Sequence, residues 1–368
     1  MLDGHFVIDS VVHAFNMDED NFANVPHATA IRDVIYTVNN QTVPPGYGLP
    51  RDAVFHDWSM DDTVGMLFNE SDTDTAIYHA TPIMAFKDGL CSPEKGADAI
   101  GRWPNRIIGA YASVDPMSGR GGLEELDRQL DMFVPMGLKL YPNGWPGTEA
   151  VGWRMDDHKI AFPLFEAAAE RGITHFAIHK SLPLGPVPTG NFFRPGDLEG
   201  AADHFPDLTF EIVHGGAAFV EETAWLIARF GNIWINLETL PTFLVTRPTV
   251  FAKLILGMMH VGGEAMLERM LWATGAMQGH PRLQLEAFSG FEFPEHLLDE
   301  YGLFGPLPQL TDTHRGMILG ENAARLYGLD IDSLKRSIER DEFSREAGAP
   351  VAQPYSTTSV ANRVLKEA

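Results

Sequence analysis

The sequence has little cysteine, no long apolar run and few basic residues, and each shortage excludes a class of protein. The one cysteine, Cys91, excludes an internal disulfide framework and a zinc site built from cysteines. No stretch approaches the roughly 18 uninterrupted apolar residues of a membrane span. Residues 1–5 also lack the basic and then apolar pattern of a signal peptide. We therefore expect a protein of the reducing cytoplasm.

Acidic residues outnumber basic ones, with 50 Asp and Glu against 27 Lys and Arg and a formal net charge of −23. This balance disfavours nucleic acid or an anionic membrane surface as a main partner. Apolar residues make up 45% of the 368 residues. That share is typical of a globular protein and is enough for a large core.

Short apolar runs alternate with helix-like stretches along most of the chain. Helical spacing of apolar residues marks 122–136, 161–171 and 221–230. The predicted strands cover residues 6–13, 75–79, 106–111, 137–141, 175–179, 208–214, 233–238 and 270–274. Eight strands that mostly alternate with helices predict a (β/α)8 barrel, the TIM-barrel fold.

The predicted barrel spans residues 1–330 and has a long first loop and a C-terminal extension. Residues 15–60 form an irregular insert rich in Asn, Pro and Asp. Loops of that length usually cover an active site or contact another subunit. A helix is predicted over 331–343 and a tail over 344–368. We expect the extension, residues 331–368, to pack on the barrel or on a partner.

Metal-binding residue types end five of the predicted strands. In a (β/α)8 barrel, the C-terminal ends of the strands form the mouth that holds the active site. One histidine at a strand end is usually structural, but four at equivalent ends predict a shared site. Imidazole and carboxylate together suit zinc, iron or manganese. The five residues are His13, His79, His179, His214 and Glu238.

Strand alternation places Lys139 and Tyr141 inside the barrel, because Leu138 and Leu140 then face the helices. A buried lysine is costly unless it is paired or modified. One interpretation is a salt bridge with a buried carboxylate such as Asp9 or Glu238. The other is a lysine carbamylated by carbon dioxide, whose carboxylate bridges two metal ions.

Three motifs as a set resemble the amidohydrolase superfamily, in its amidohydrolase-related, decarboxylase-like branch. They are GLKLYP at 137–142, AIHK at 177–180 and EIVHGG at 211–216, and the resemblance covers roughly residues 8–327. It implies a metal-dependent enzyme whose ligands include His13, His179 and His214. Two positions depart from the family, since Val11 and Gly275 stand where a histidine and an aspartate are expected. In hydrolases of the superfamily that aspartate binds metal and handles the proton of the attacking water.

Four further motifs are similar to a subset, the oxygen-using dinuclear non-haem metal hydroxylases, which includes the catalytic subunit of 2-aminoisobutyrate hydroxylase. They are VHAFN at 12–16, YHATP at 78–82, ATGA at 273–276 and GHP at 279–281. The subset implies two iron ions, or manganese with iron, and dioxygen with an electron donor. We therefore expect hydroxylation of an aliphatic C–H bond in a small organic acid or amino acid. The expected metal ligands are His13, His79, Lys139, His179, His214, Glu238 and His280, the last swinging in from the loop after the eighth strand.

Two alternatives remain open from the sequence. One is a hydrolase or non-oxidative decarboxylase with a single zinc or manganese ion. The other is a non-catalytic partner subunit of such an enzyme. For the leading interpretation as well, we expect a homo- or hetero-oligomer with a related subunit. Tyr141 and Lys180 are candidates for binding the substrate, although an outward salt bridge is the preferred interpretation of Lys180.

Overall fold

Eight parallel strands form a nearly closed barrel in this computed structural model, which describes residues 1–40, 43–182, 184–277, 279–346 and 348–361. Each strand pairs with its neighbour in chain order. Backbone bonds from Ser10 to Trp272 and from Gly275 to Val11 join the eighth strand region to the first. The predicted fold is confirmed. The strands, β1 to β8, are Ile8–Val12, Thr75–His79, Ile107–Ser113, Gly137–Leu140, His175–His179, Thr209–Val213, Ile233–Asn236 and Met270–Leu271.

Helices surround the strands and fill the connections between them. No single helix in the described ranges is long and apolar enough to cross a membrane. One pair of helices bent by 104°, Pro248–Met259 and Gly263–Arg269, has the combined length and composition of a membrane span. The α-helices, α1 to α15, are Ala28–Asn40, Arg51–Val54, Met60–Val64, Pro93–Arg102, Arg120–Met132, Ala161–Glu170, Leu198–His204, Val220–Arg229, Leu240–Thr246, Pro248–Met259, Pro281–Ser289, Glu295–Glu300, Asp312–Gly316, Asn322–Tyr327 and Ile331–Ile338.

The long insert after β1 is more regular than predicted, because it contains the 13-residue helix α1. One face of α1 is buried, including Ala28, Ile31, Ile35 and Tyr36, at the spacing of an amphipathic helix. That spacing is present in the sequence, so the description of residues 15–60 as irregular is wrong in this part. The helix lies beside the barrel mouth, where it supplies apolar side chains to a cavity.

The C-terminal segment is fastened to the barrel through the buried carboxylate of Glu70. This carboxylate accepts hydrogen bonds from the backbone N–H groups of Tyr355 and Thr357, at 2.6 and 2.7 Å. His280 Nε2 donates to the same carboxylate at 2.9 Å. The last residues of the predicted tail, 362–368, lie outside the described residues.

We expect Glu70→Gln to destabilise the protein by about 2 kcal/mol or more, because hydrogen bonds to a buried charge are lost. Burial raises the pKa of Glu70, but bonds from His280 and Thr357 outweigh it and lower the pKa below its ordinary 4.5. A carboxyl group whose pKa is lower in the folded than in the unfolded protein stabilises the fold at pH values above its unfolded pKa. That stabilisation is lost as the pH falls through the folded-state pKa. Urea unfolding should therefore show that, below pH 4.5, the free energy of unfolding falls less steeply with pH in the variant than in the native protein. Equal stability and the same acid slope in both proteins would contradict this role.

Candidate active site

The five strand-end side chains meet at the C-terminal end of the barrel, where they are all buried. His79 and His179 are the last residues of β2 and β5, and His13 and His214 directly follow β1 and β6. Glu238 lies two residues beyond β7. His214 has a φ of +65°, and the two glycines after it also have positive φ, so the chain turns sharply at the strand end.

One ring nitrogen of His179 points at one ring nitrogen of His214, and the contacts of the two rings require a proton or a metal ion that two neutral rings do not supply. His179 Nδ1 and His214 Nε2 are 2.9 Å apart. The other ring nitrogens lie 2.6 Å from the Leu182 carbonyl and 3.0 Å from the Glu238 carbonyl. Both carbonyls only accept, so each requires an N–H, and a neutral imidazole carries one. The facing nitrogens are then two lone pairs with nothing between them.

A divalent metal ion suits this gap better than an extra proton. Burial lowers the pKa of His214 to about 4, and burial with the neighbouring His214 lowers the pKa of His179 well below its usual value. Both rings are therefore neutral near pH 7. Two nitrogens that each lie about 2.1 Å from one ion are separated by roughly 3 Å.

Glu238 joins the other members of the cluster. Its Oε1 lies 3.1 Å from His13 Nε2, and its Oε2 accepts from Lys139 Nζ at 3.3 Å. Burial would raise the pKa of Glu238, but Lys139, His214 and His13 outweigh it and hold the pKa well below its usual range. The buried salt bridge is thus formed with Glu238. Asp9 instead accepts from Thr274.

His79 is a buried imidazole without a hydrogen bond from either ring nitrogen to any described residue. Its ring stacks on Tyr111 at 4.0 Å and approaches the His13 ring edge-on at 6.5 Å. Burial, Lys139 and His13 lower the pKa of His79 well below its ordinary value. A neutral ring with an unused lone pair is a further donor for a metal ion.

Two of the predicted site residues lie elsewhere. His280 caps α11, where its Nδ1 accepts from Arg282 N–H and its Nε2 donates to Glu70, so both nitrogens are occupied. The expectation that it swings into the mouth is therefore wrong. Lys180 is fully buried and bonds both oxygens of Asp197 at 2.7 and 2.8 Å. It is a structural ion pair, so its assignment to the substrate is wrong as well.

Four of the predicted site residues, Tyr141, His179, His214 and Glu238, line a cavity of about 420 Å³, whereas His13, His79 and Lys139 are buried beside it and do not belong to its lining. Tyr141 belongs to its wall and stacks on the His179 ring, with centroids 4.3 Å apart. Burial and Glu238 raise the pKa of Tyr141, so its hydroxyl keeps its proton. Sequence reasoning missed two contributors, α1 and Arg247, and only α1 has a detectable signal, its apolar spacing.

The donor set fits a divalent ion in chemistry, with the neutral imidazoles of His79, His179 and His214 and a carboxylate at one mouth. Burial lowers the pKa of His13, but Cys91 and Glu238 outweigh it and raise that pKa to about 9, so His13 must lose a proton before it can bind an ion. The histidine pair and His79 present lone pairs that have no proton to accept. In the described ranges, however, no three His, Cys, Asp or Glu side chains are already grouped closely enough to hold an ion. Binding would require side chains to turn, with Glu238 exchanging one of its present partners for the ion.

Glu238 also occupies the space beside Gly275, where the family has an aspartate. A Cβ built on Gly275 would lie 3.2 Å from Glu238 Cγ, and the φ of Gly275 is +68°. The glycine thus allows the neighbouring strand's carboxylate to fill this volume. The site keeps a carboxylate here, but it comes from β7 and is already paired with Lys139.

We expect Gly275→Asp to lower stability by about 1–3 kcal/mol and not to raise activity, because its side chain needs the space of Glu238 and a left-handed backbone. Thermal unfolding and turnover would measure both effects. Gly275→Ala separates backbone strain from the added carboxylate. An Asp variant as stable as the native protein and faster in turnover would contradict this account.

The family model described as amidohydrolase matches residues 94–329, well over half of the chain. The chain belongs to the amidohydrolase family. The resemblance to the amidohydrolase superfamily is confirmed. The match assigns the protein to an enzyme family, while the expected hydroxylase chemistry gains no support from it. No curated protein matches the chain.

Several solved structures have the same fold, and nearly their full length aligns with this amidohydrolase. A TIM-barrel protein from Bordetella bronchiseptica has 17% identity and a TM-score of 0.62, covering 88% of this chain and 98% of its own. The 5-carboxyvanillate decarboxylase of Novosphingobium aromaticivorans, solved with manganese, has 14% and 0.51, covering 89% and 97%. The 2,6-dihydroxybenzoate decarboxylase of Rhizobium has 14% and 0.51, covering 88% and 99%. At these identities the likeness shows the fold alone.

Proposed function

We propose that the protein is a metal-dependent lyase that removes carbon dioxide from a small organic acid without an external oxidant. The observation that carries the proposal is the pair of facing, unprotonated nitrogens of His179 and His214 at the floor of the cavity. Two neighbours of the same fold are named as decarboxylases, and one was solved with manganese. We propose manganese, with zinc as the alternative, held by these two histidines with His13 and Glu238.

The state of Glu238 favours decarboxylation over hydrolysis. Hydrolysis needs a carboxylate that takes a proton from water. Glu238 is bonded to Lys139 and His13, and its low pKa makes it a weak base. Gly275 provides no second carboxylate. Decarboxylation needs no activated water, so these departures leave it possible.

The reaction breaks one C–C bond, leaves the electron pair on carbon and replaces carbon dioxide with a proton. A bound ion would supply Lewis-acid polarisation of the substrate's oxygen atoms. The Tyr141 hydroxyl, which stays protonated, would donate a hydrogen bond to the substrate. The same Tyr141 hydroxyl, which lines the cavity, would supply the proton that carbon receives, because Lys139 is buried outside the cavity lining. The apolar wall of the cavity would limit water around the reacting carbon.

An oxygenase with two iron ions, or manganese and iron, is the second candidate. The observation that favours it is the number of donors, since His79 and Lys139 add to a set already sufficient for one ion. In that case Lys139 would be carbamylated and bridge the two ions, and turnover would need dioxygen and electrons.

The test is carbon dioxide release by manganese-loaded protein under strict anaerobiosis, with a panel of aromatic and aliphatic acids. We expect one carbon dioxide per acid consumed, and no release by the His214→Ala variant. Turnover that starts only when dioxygen and a reductant are added would reject the lyase and favour the oxygenase. Cleavage without carbon dioxide would reject both and favour a hydrolase.

A further inference from the structure

The cavity changes character from its floor to its rim. His179, His214 and Glu238 at the floor are at most 4% exposed. The rim is formed by exposed residues of α1 and of the α9–α10 junction, including Thr37, Thr246 and Arg247. The wall between them is mostly apolar and includes Phe15, Ile35, Ile83, Leu182, Leu184 and Phe243. A bound molecule therefore meets polar groups at its two ends.

Arg247 is the one Lys or Arg among the described residues that line this cavity. Its guanidinium makes no hydrogen bond, ion pair or ring contact with the part of the chain that the structure describes, whereas Arg194 and Arg229 on the outer surface each pair with a glutamate. Acidic residues outnumber basic ones almost two to one. An arginine left unpaired in such a chain keeps its five donors available for a ligand.

We propose that Arg247 binds a carboxylate that the substrate retains, while the carboxylate to be lost lies at the histidine pair. This deepens the proposed function and rests on it. The substrate class is then a dicarboxylic acid with an apolar body. A guanidinium binds a carboxylate through two parallel hydrogen bonds, which fixes the direction of the molecule as well as its affinity. The net charge of −23 disfavours the binding of anions elsewhere on the surface, so an anionic substrate should bind at the barrel mouth, beside the Arg247 guanidinium.

Glu238 makes the binding of a carboxylate at the floor depend on the metal ion. Its carboxylate at the floor carries a negative charge, so an anionic group enters there only when a metal ion compensates it. At the rim Arg247 offers a positive charge without such a requirement. Arg247 is therefore a specificity residue that does not touch the reacting atoms.

The experiment measures calorimetric binding of unreactive probes, the straight-chain diacids of five to eight carbons, each against the mono-acid of equal length. We expect at least one diacid to bind the manganese-loaded protein about ten- to a hundredfold more tightly than its mono-acid, as charge-assisted hydrogen bonds predict. Arg247→Gln should remove that preference and leave mono-acid binding unchanged. Arg247→Lys should retain part of it. Arg340→Gln removes the same charge from an exposed site outside the cavity lining and is the matched control.

No diacid preference in the native protein, or a preference that survives Arg247→Gln, would overturn the proposal. An equal loss in Arg340→Gln would overturn it too, because net charge would then explain the effect. The probes require no turnover, so these outcomes are independent of the carbon dioxide assay. Failure of that assay with the preference intact would reject the lyase and leave Arg247 as the carboxylate site.

Discussion

Replacing either His179 or His214 by Ala should remove the metal and abolish activity while leaving the barrel folded. Each ring supplies one of the two facing nitrogens, and the other nitrogen of each is held by a backbone carbonyl. Losing one of so few ligands should lower bound manganese to less than about a tenth of the native content. Turnover should fall roughly a thousandfold or more, since the Lewis acid is lost. Metal analysis and circular dichroism would follow content and fold.

The control for this result is His175→Ala, on the same strand as His179. His175 contacts Thr174 and lies near the Tyr327 ring, away from the facing pair. It should keep its metal and its activity. We also expect His13→Ala to lose metal, because His13 Nε2 lies against Glu238. Full metal content in all three variants, at positions 13, 179 and 214, would eliminate this site.

Lys139→Met should destabilise the protein by about 3–5 kcal/mol, because it leaves Glu238 as a buried charge without its main cation. The native pair gives stability above the unfolded pKa of Glu238, which is lost as the pH falls through the lowered folded pKa. Without Lys139, we expect burial to become the main influence on Glu238 and to raise the pKa of its carboxyl group. Protonation of Glu238 then removes the buried charge. The contribution of Glu238 to the free energy of unfolding should therefore increase as the pH falls. Urea unfolding between pH 4 and 8 would measure the reversal.

Lys139→Met combined with Glu238→Gln is the control, because it removes both charges and should recover part of the stability. Metal loading with bicarbonate tests the carbamate prediction on the same variants. If Lys139 is carbamylated, bicarbonate should raise metal occupancy in the native protein and not in Lys139→Met. A variant as stable as the native protein at every pH would contradict the ion pair as a structural element.

The barrel and the core of the site could be predicted from the sequence because both depend on local pattern. Strands that end in His13, His79, His179 and His214 must place these residues at one mouth once the barrel closes. Alternation along β4 also placed Lys139 inside, although it could not choose between Asp9 and Glu238 as its partner. That choice depends on how the strands are staggered around the barrel.

The errors arose where a side chain's partner is distant in sequence or where the chain leaves a strand. His280 is held by Glu70, 210 residues away, and no local pattern shows that contact. Lys180 follows β5, where strand alternation no longer fixes the direction of the side chain. It forms a fully buried ion pair with Asp197, away from the cavity. Arg247 carries no local signal, since its role follows only from the cavity that α1 and α9 enclose.

The most direct test of the metal centre is a crystal structure of the manganese-loaded protein with anomalous data collected at the manganese edge. We predict an anomalous peak bonded to His179 Nδ1 and His214 Nε2, with the carbonyls of Leu182 and Glu238 still bonded to the opposite ring nitrogens. A structure from manganese-saturated protein with no peak there, and with the two rings still 2.9 Å apart, would contradict the account.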